Sequence, residues 1–247
     1  MGLKVDLINL PPIVAPIPQK TLITHSLGYF IIISSSRSGH NFVRENIMSW
    51  TNLRELVSRR YLNFENQHPK DFNERTEGIK LNEYPSSILV IQTRDLLNWC
   101  ASIIKFINTS DYKLDWRFDM KLKAWIEINK EYYNETNYLP DNFIRVLYDE
   151  FFRSREYRQN ICRQIPDARY DEKELNKVTL NGGGSSFDKQ SYDGRASEMQ
   201  VLERYKQVPE DLQHWWGVLG DYPEAIELYL KYYDVSDDKK RFIDNIK

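Results

Sequence analysis

The sequence predicts an α/β protein, a parallel sheet flanked by helices with a helical C-terminal part. Three observations carry this. Two near-continuous apolar runs, 29–33 and 88–92, have the composition of strands covered on both faces. A third run at 143–148 (Phe-Ile-Arg-Val-Leu-Tyr) completes a series of strands. Each run leads into a stretch with helical periodicity. Right-handed crossovers turn that alternation into a parallel sheet whose strand C-termini share one edge, where ligands bind in such folds.

Taken in order, residues 1–28 read as an irregular N-terminal segment, with Pro11, Pro12, Pro16 and Pro18 breaking any regular element. The first strand, 29–33, runs into a polar loop at 34–40, and Phe42, Ile47 and Met48 predict a helix from Asn41 to about Arg60. Residues 61–84 form a long connection without clean periodicity, and long connections tend to be functional. The second strand ends at Thr93-Arg94-Asp95, with a helix through Trp99, Ile103, Ile104 and Phe106. A long helix is predicted over 115–137, with Trp116, Met120, Trp125, Ile128 and Tyr132 on one side, and another around 150–165. The Gly-rich stretch at 181–186 marks 176–195 as loop, and 196–234 predicts two or three helices with Pro209 and Pro223 near their starts.

The 247 residues, 41% hydrophobic, suffice for one sizeable core, and a single domain over 1–247 is expected. A net charge of −2 supplies no global drive toward nucleic acid or an anionic membrane, so neither is expected as a partner. The apolar runs are far shorter than the ~20 residues that cross a bilayer, and no secretory signal is visible, so a cytoplasmic protein is the expectation. Cys100 and Cys162 form no CxxC pair, and His25, His40, His68 and His214 make no HxxxH or HExxH pattern. Buried free thiols and no metal are therefore expected.

Two constellations point to anion chemistry. The first is the loop Ser34-Ser35-Ser36-Arg37-Ser38-Gly39-His40-Asn41, between a buried strand and a helix N-terminus. Unpaired amides, the helix dipole, small residues and a guanidinium suit such a turn to a phosphate-like group. It lacks the GxxxxGK[ST] ending of a triphosphate loop. The second pairs Arg94, just past a strand end, with Ser102, two helical turns along. A bidentate cation and a hydroxyl can converge on one phosphate, although a surface Arg94–Asp95 pair would read the same way.

These motifs resemble those of the sulfotransferase family. Ser36-Arg37-Ser38-Gly39 is similar to its 5′-phosphosulfate loop, and Arg94 followed eight positions later by Ser102 is similar to its 3′-phosphate motif. Val146-Leu147-Tyr148-Asp149 resembles the strand end whose Tyr lies near adenine, and 182–187 (with Ser185 and Ser186) together with Gly194-Arg195 lies where the family closes a loop over the nucleotide. The resemblance covers roughly residues 29–195. It departs at His40-Asn41, where the family carries hydroxyl residues.

The resemblance implies a P-loop-type fold, 3′-phosphoadenosine 5′-phosphosulfate (PAPS) as donor, and Ser36, Arg37, Ser38, Gly39, His40, Asn41, Phe42, Arg94, Ser102, Tyr148, Ser185, Ser186, Gly194 and Arg195 around it. Arg37 would stabilise charge during in-line transfer. A base for the acceptor, worth ~10²–10⁴-fold, is sought first in His68, because His68-Pro69 resembles the base segment of one branch. His40 comes next, then Glu65 and Glu74. The acceptor is expected to be a small hydroxyl- or amine-bearing molecule, with Tyr61, Phe64, Phe72, Trp116 and Trp125 as candidates for its pocket or for the core; a homodimer stays open. A kinase with a variant loop and a non-catalytic nucleotide-binding module are the alternatives.

Overall fold

Four parallel strands form the sheet, in the order β2-β1-β3-β4. The computed structural model describes residues 29–35, 37–51, 53–55, 87–109, 116–137, 139, 143–179 and 185–246. The segment 1–28, the connection 61–84 and residues 180–184 lie outside the described residues. β1 (Tyr29–Ser34) pairs with β3 (Ile88–Thr93), Phe30 opposite Ile88 and Ser34 opposite Gln92. β4 (Ile144–Leu147) lies on the far side of β3, with Val90 opposite Ile144. The two-residue β2 (Arg54–Glu55) edges β1.

Period-two alternation sorts the strands' side chains between two layers. Phe30, Ile32, Val90, Ile144 and Val146 join a core with α1 (His40–Trp50), α4 (Tyr148–Arg153) and α5 (Arg155–Arg163). Ile31, Ile33, Leu89 and Ile91 face α3 (Trp116–Tyr132) through Ile128 and Tyr132. The largest core lies beyond the sheet, where α2 (Leu96–Thr109) and the other side of α3 meet the C-terminal part. An α/β architecture with a parallel sheet between helices follows. No helix among the described residues is long and apolar enough to cross a membrane.

Three elements depart from the sequence expectation. The helix expected to reach about Arg60 stops at Trp50, and the chain re-enters the sheet as β2. Thr51 turns it: the residue is extended (φ −134°), its Oγ1 donates to the Ile47 carbonyl at 2.9 Å and accepts the Leu53 N–H at 3.2 Å. Met48 is correspondingly an exposed residue, and Val43, Ile47 and Trp50 form the buried face.

The helix expected around 150–165 is two helices. Ser154 breaks it with extended backbone and caps α5 by accepting the Tyr157 N–H at 3.1 Å. The C-terminal part begins not as α-helix but as tight three-residue-per-turn segments, Ala196–Glu198, Val201–Gln207 and Glu210–Trp215. Pro209 disfavours helical backbone at Val208 and separates the last two. Then come α6 (Trp216–Gly220), α7 (Pro223–Tyr232), which Pro223 opens as expected, and α8 (Asp237–Asp244).

Candidate functional site

The end of β1 and the start of α1 make one wall of a cleft of about 190 Å³ at the C-terminal edge of the sheet. Two consecutive left-handed features build this turn. Arg37 has φ 63°, and Gly39, the residue before α1, has φ 88°. Gly39 is required twice over. Its backbone suits a residue without Cβ, and a Cβ there would fall 2.7 Å from Tyr148 Cζ and closer still to two other ring carbons. The N-terminus of α1 is thereby pressed against the Tyr148 ring. Leading helix amides lack acceptors within their own helix and carry the positive end of its dipole.

Ser35, Arg37, Gly39, His40, Asn41 and Phe42 all line the cleft. Ser35 is 4% exposed, and its hydroxyl has no hydrogen-bond partner among the described residues. His40 is buried beside Ser34, Nδ1 to Oγ at 3.2 Å. Ser38, expected to contact the ligand, does not line the cleft. It is fully buried, and its carbonyl accepts from the Gln92 amide at 2.8 Å, which ties the loop to the sheet. Ser36 lies outside the described residues.

Arg94 occupies the centre of the cleft. The sequence left open a surface pair with Asp95; instead both residues are buried. Arg94 Nη1 donates to the Arg37 carbonyl at 3.1 Å and to Ser102 Oγ at 3.2 Å, and Nη2 donates to the Val201 carbonyl at 2.9 Å. Its guanidinium carbon lies 4.8 Å from the centre of the Tyr148 ring. The buried Nε–H has no acceptor among the described residues. Ser102 and Tyr148 line the same cleft, and the Ser102 hydroxyl donates to the Asn98 carbonyl at 3.0 Å.

Asp95 serves the fold. It caps α2 through Oδ1, which accepts the Asn98 N–H at 2.9 Å, while Oδ2 accepts from Tyr229 and pairs with Lys239 at 2.6 Å. Asp149 Oδ2 accepts the Asp95 N–H at 2.7 Å. Burial, then the Asp95 charge, push the Asp149 carboxyl up to about 6, against the opposing pull of Arg94. Burial likewise raises Tyr148, with Arg94 and Arg204 pulling the other way.

The opposite wall comes from the C-terminal third: Lys177, Val178, Thr179, Ser185, Ser186, Met199, Val201 and Arg204. Ser185 and Ser186 were expected there. Gly194 and Arg195 were expected too but do not line the cleft: Arg195 is an exposed residue paired with Glu198 at 3.2 Å. Arg204 supplies the guanidinium on this wall, and it donates to Asp188. Lys177, Arg204 and Phe106 carry no motif in the sequence, since irregular backbone brings the first two in from distant positions. Trp125, a candidate for either the pocket or the core, is fully buried and donates to the Arg94 carbonyl at 3.0 Å, so it is core. His68, Glu65, Glu74, Tyr61, Phe64 and Phe72 lie outside the described residues, and Cys100 and Cys162 are buried free thiols.

The cleft thus joins a helix N-terminus, three arginines and several hydroxyls, an arrangement suited to a ligand with more than one anionic group. Neither a scan against protein-family models nor a search of curated proteins returns a match.

Proposed function

We propose that the chain is a sulfotransferase that moves a sulfuryl group from PAPS to a hydroxyl or amine of a small acceptor. The observation that carries this reading is the meeting of Arg94 and Ser102, 3.2 Å apart, in the cleft that the P-loop-type turn Ser35–Phe42 opens onto. A triphosphate loop with Mg²⁺ needs no second arginine–serine clamp; a nucleotide phosphorylated at both ends does. Two buried groups without partners among the described residues, Ser35 Oγ and Arg94 Nε in the cleft wall, fit such a ligand.

On this reading the donor supplies an already activated sulfuryl group. The chain supplies position and charge. Arg37 and the leading amides of α1 hold the phosphosulfate end, and Gly39 permits its close approach. Ser35 contributes the hydroxyl that His40 does not. Arg94 and Ser102 hold the other phosphate, the Ser102 hydroxyl turning from the Asn98 carbonyl by rotation about one bond. Phe42 and Tyr148 offer apolar faces to the base. Deprotonation of the acceptor falls to His68, with His40, Glu65 and Glu74 next in order.

Calorimetric titration with 3′-phosphoadenosine 5′-phosphate tests this. The expected result is micromolar binding without metal, weakened at least tenfold by Arg94→Ala and several-fold by the milder Ser102→Ala. Binding of ATP–Mg²⁺ with no binding of the bisphosphate overturns it. One observation favours a second reading, a nucleotide-binding module without turnover: His40 is buried against Ser34 where the family carries a hydroxyl. Bisphosphate binding with no turnover on any acceptor would select that module.

A further inference from the structure

Arg204 presents an electrostatic problem that its neighbours solve in an unusual way. Its side chain is only 2% exposed, so its charge needs an anion whether or not a ligand is bound. That anion is Asp188, on the turn Ser185–Lys189, whose ends pair through Ser185 N to Lys189 O at 3.1 Å and Lys189 N to Ser185 O at 3.0 Å. Ser185 Oγ organises the turn. It accepts the Phe187 and Asp188 N–H groups at 3.2 and 3.3 Å, donates to Asp188 Oδ2 at 3.2 Å, and accepts from Arg204 Nη2 at 3.3 Å. The Phe187 ring lies 4.7 Å from the guanidinium carbon, and Gln207 Oε1 accepts from Nη1 at 2.8 Å.

The two partners of this pair are not equivalent. Arg204 is enclosed, whereas the Asp188 side chain is 20% exposed and sits on a tight turn rather than in a helix or strand. Of the two, the carboxylate is the one that can return to water, and the enclosed guanidinium then needs another anion in its place. Arg204 lies on the same short segment as Val201, whose carbonyl holds Arg94, so the two guanidiniums face one cleft.

We propose that the Asp188 carboxylate is an internal counter-ion on Arg204 that a dianionic phosphate of the ligand replaces. A hydroxyl in the same place gains nothing, because it cannot outcompete a carboxylate for a guanidinium. A phosphate brings a second charge and further acceptors, and so takes the guanidinium over. The inference rests on the nucleotide reading for the ligand's identity, and on the cleft geometry alone for the exchange of anions.

The test is titration of the full chain and its Asp188→Asn variant with 3′-phosphoadenosine 5′-phosphate and with adenosine 5′-phosphate. The variant is expected to bind the bisphosphate about tenfold more tightly, the gain expected from removing one like charge beside a phosphate, with the monophosphate changed less than about twofold. Unchanged or weaker bisphosphate binding, or equal gains for both nucleotides, overturns the proposal. If the natural protein binds neither nucleotide, the sulfotransferase reading falls and the anion exchange is judged on inorganic phosphate alone. Phosphate must then raise the melting temperature of the variant more than that of the natural protein, and equal increments overturn it. Asp188→Ser serves if Asp188→Asn does not fold; failure of both to fold shows a structural ion pair and overturns the proposal.

Discussion

The two walls of the cleft are built by different means. The wall from Ser35 to Phe42 is set by backbone: a strand end, two left-handed residues and a helix start leave the loop little choice of path, and Gln92 and Arg94 fasten its carbonyls to the sheet. The wall from Lys177 to Arg204 is irregular backbone held by side chains. Asp193 Oδ1 accepts the Val178 N–H at 3.0 Å, Ser197 donates to Asn176 Oδ1 at 2.6 Å, and Asp188 pairs with Arg204. The first wall is therefore intolerant of change at its glycine, and the second loses stability in small steps.

The most damaging substitution on the first wall is Gly39→Ala. A Cβ meets the Tyr148 ring, and the backbone must hold a left-handed residue. Overpacking and backbone strain each cost about 1–3 kcal/mol, so a loss of about 2–6 kcal/mol is expected in denaturant unfolding, with loss of nucleotide binding. Full stability in Gly39→Ala would break the contrast between the walls.

Asp149, behind the first wall, makes that contrast depend on pH. Its folded carboxyl is raised from 3.8 to about 6, so the folded state favours the neutral acid. Its contribution to stability is complete below about pH 4 and is lost as pH rises toward and through 6. Asp149→Asn should remove this slope and stabilise the protein at pH 7 by on the order of 1–3 kcal/mol. Urea midpoints between pH 4 and 8 check it; parallel profiles for the two proteins would refute it.

The smallest effect is expected on the second wall. Asp193→Ala leaves the Val178 N–H without its acceptor, for a loss of about 1 kcal/mol and a two- to threefold weaker bisphosphate affinity. A loss as large as that of Gly39→Ala would erase the distinction between the walls.

Legibility followed the same division. The loop and the Arg94–Ser102 pair were readable because a buried strand, a polar turn and a helix have local signatures, and a spacing of eight on a helix puts Ser102 back over the strand end. Residue type does not reveal which way a side chain faces: Ser38 Oγ turns to Gln92, and Trp125, open to either pocket or core, donates to the Arg94 carbonyl. Gly194-Arg195 was expected at the cleft from the resemblance of its loop, yet Arg195 pairs with an exposed carboxylate and Arg204 lines the cleft. Thr51 and Ser154 ended helices that periodicity alone would continue, since a side-chain oxygen competing for backbone partners leaves no trace in hydrophobic pattern.

The sequence by itself determined the strand–helix alternation, the parallel sheet and the Ser34–Asn41 turn, because period-two burial and a left-handed glycine are properties of neighbouring residues. Only the tertiary structure decided that Arg94 would be buried, that Arg204 would face it across the cleft, and that Asp188 would lie on Arg204. Those placements depend on which distant charges are removed from water together, and the cost of burying a guanidinium is met by partners that sequence distance does not predict.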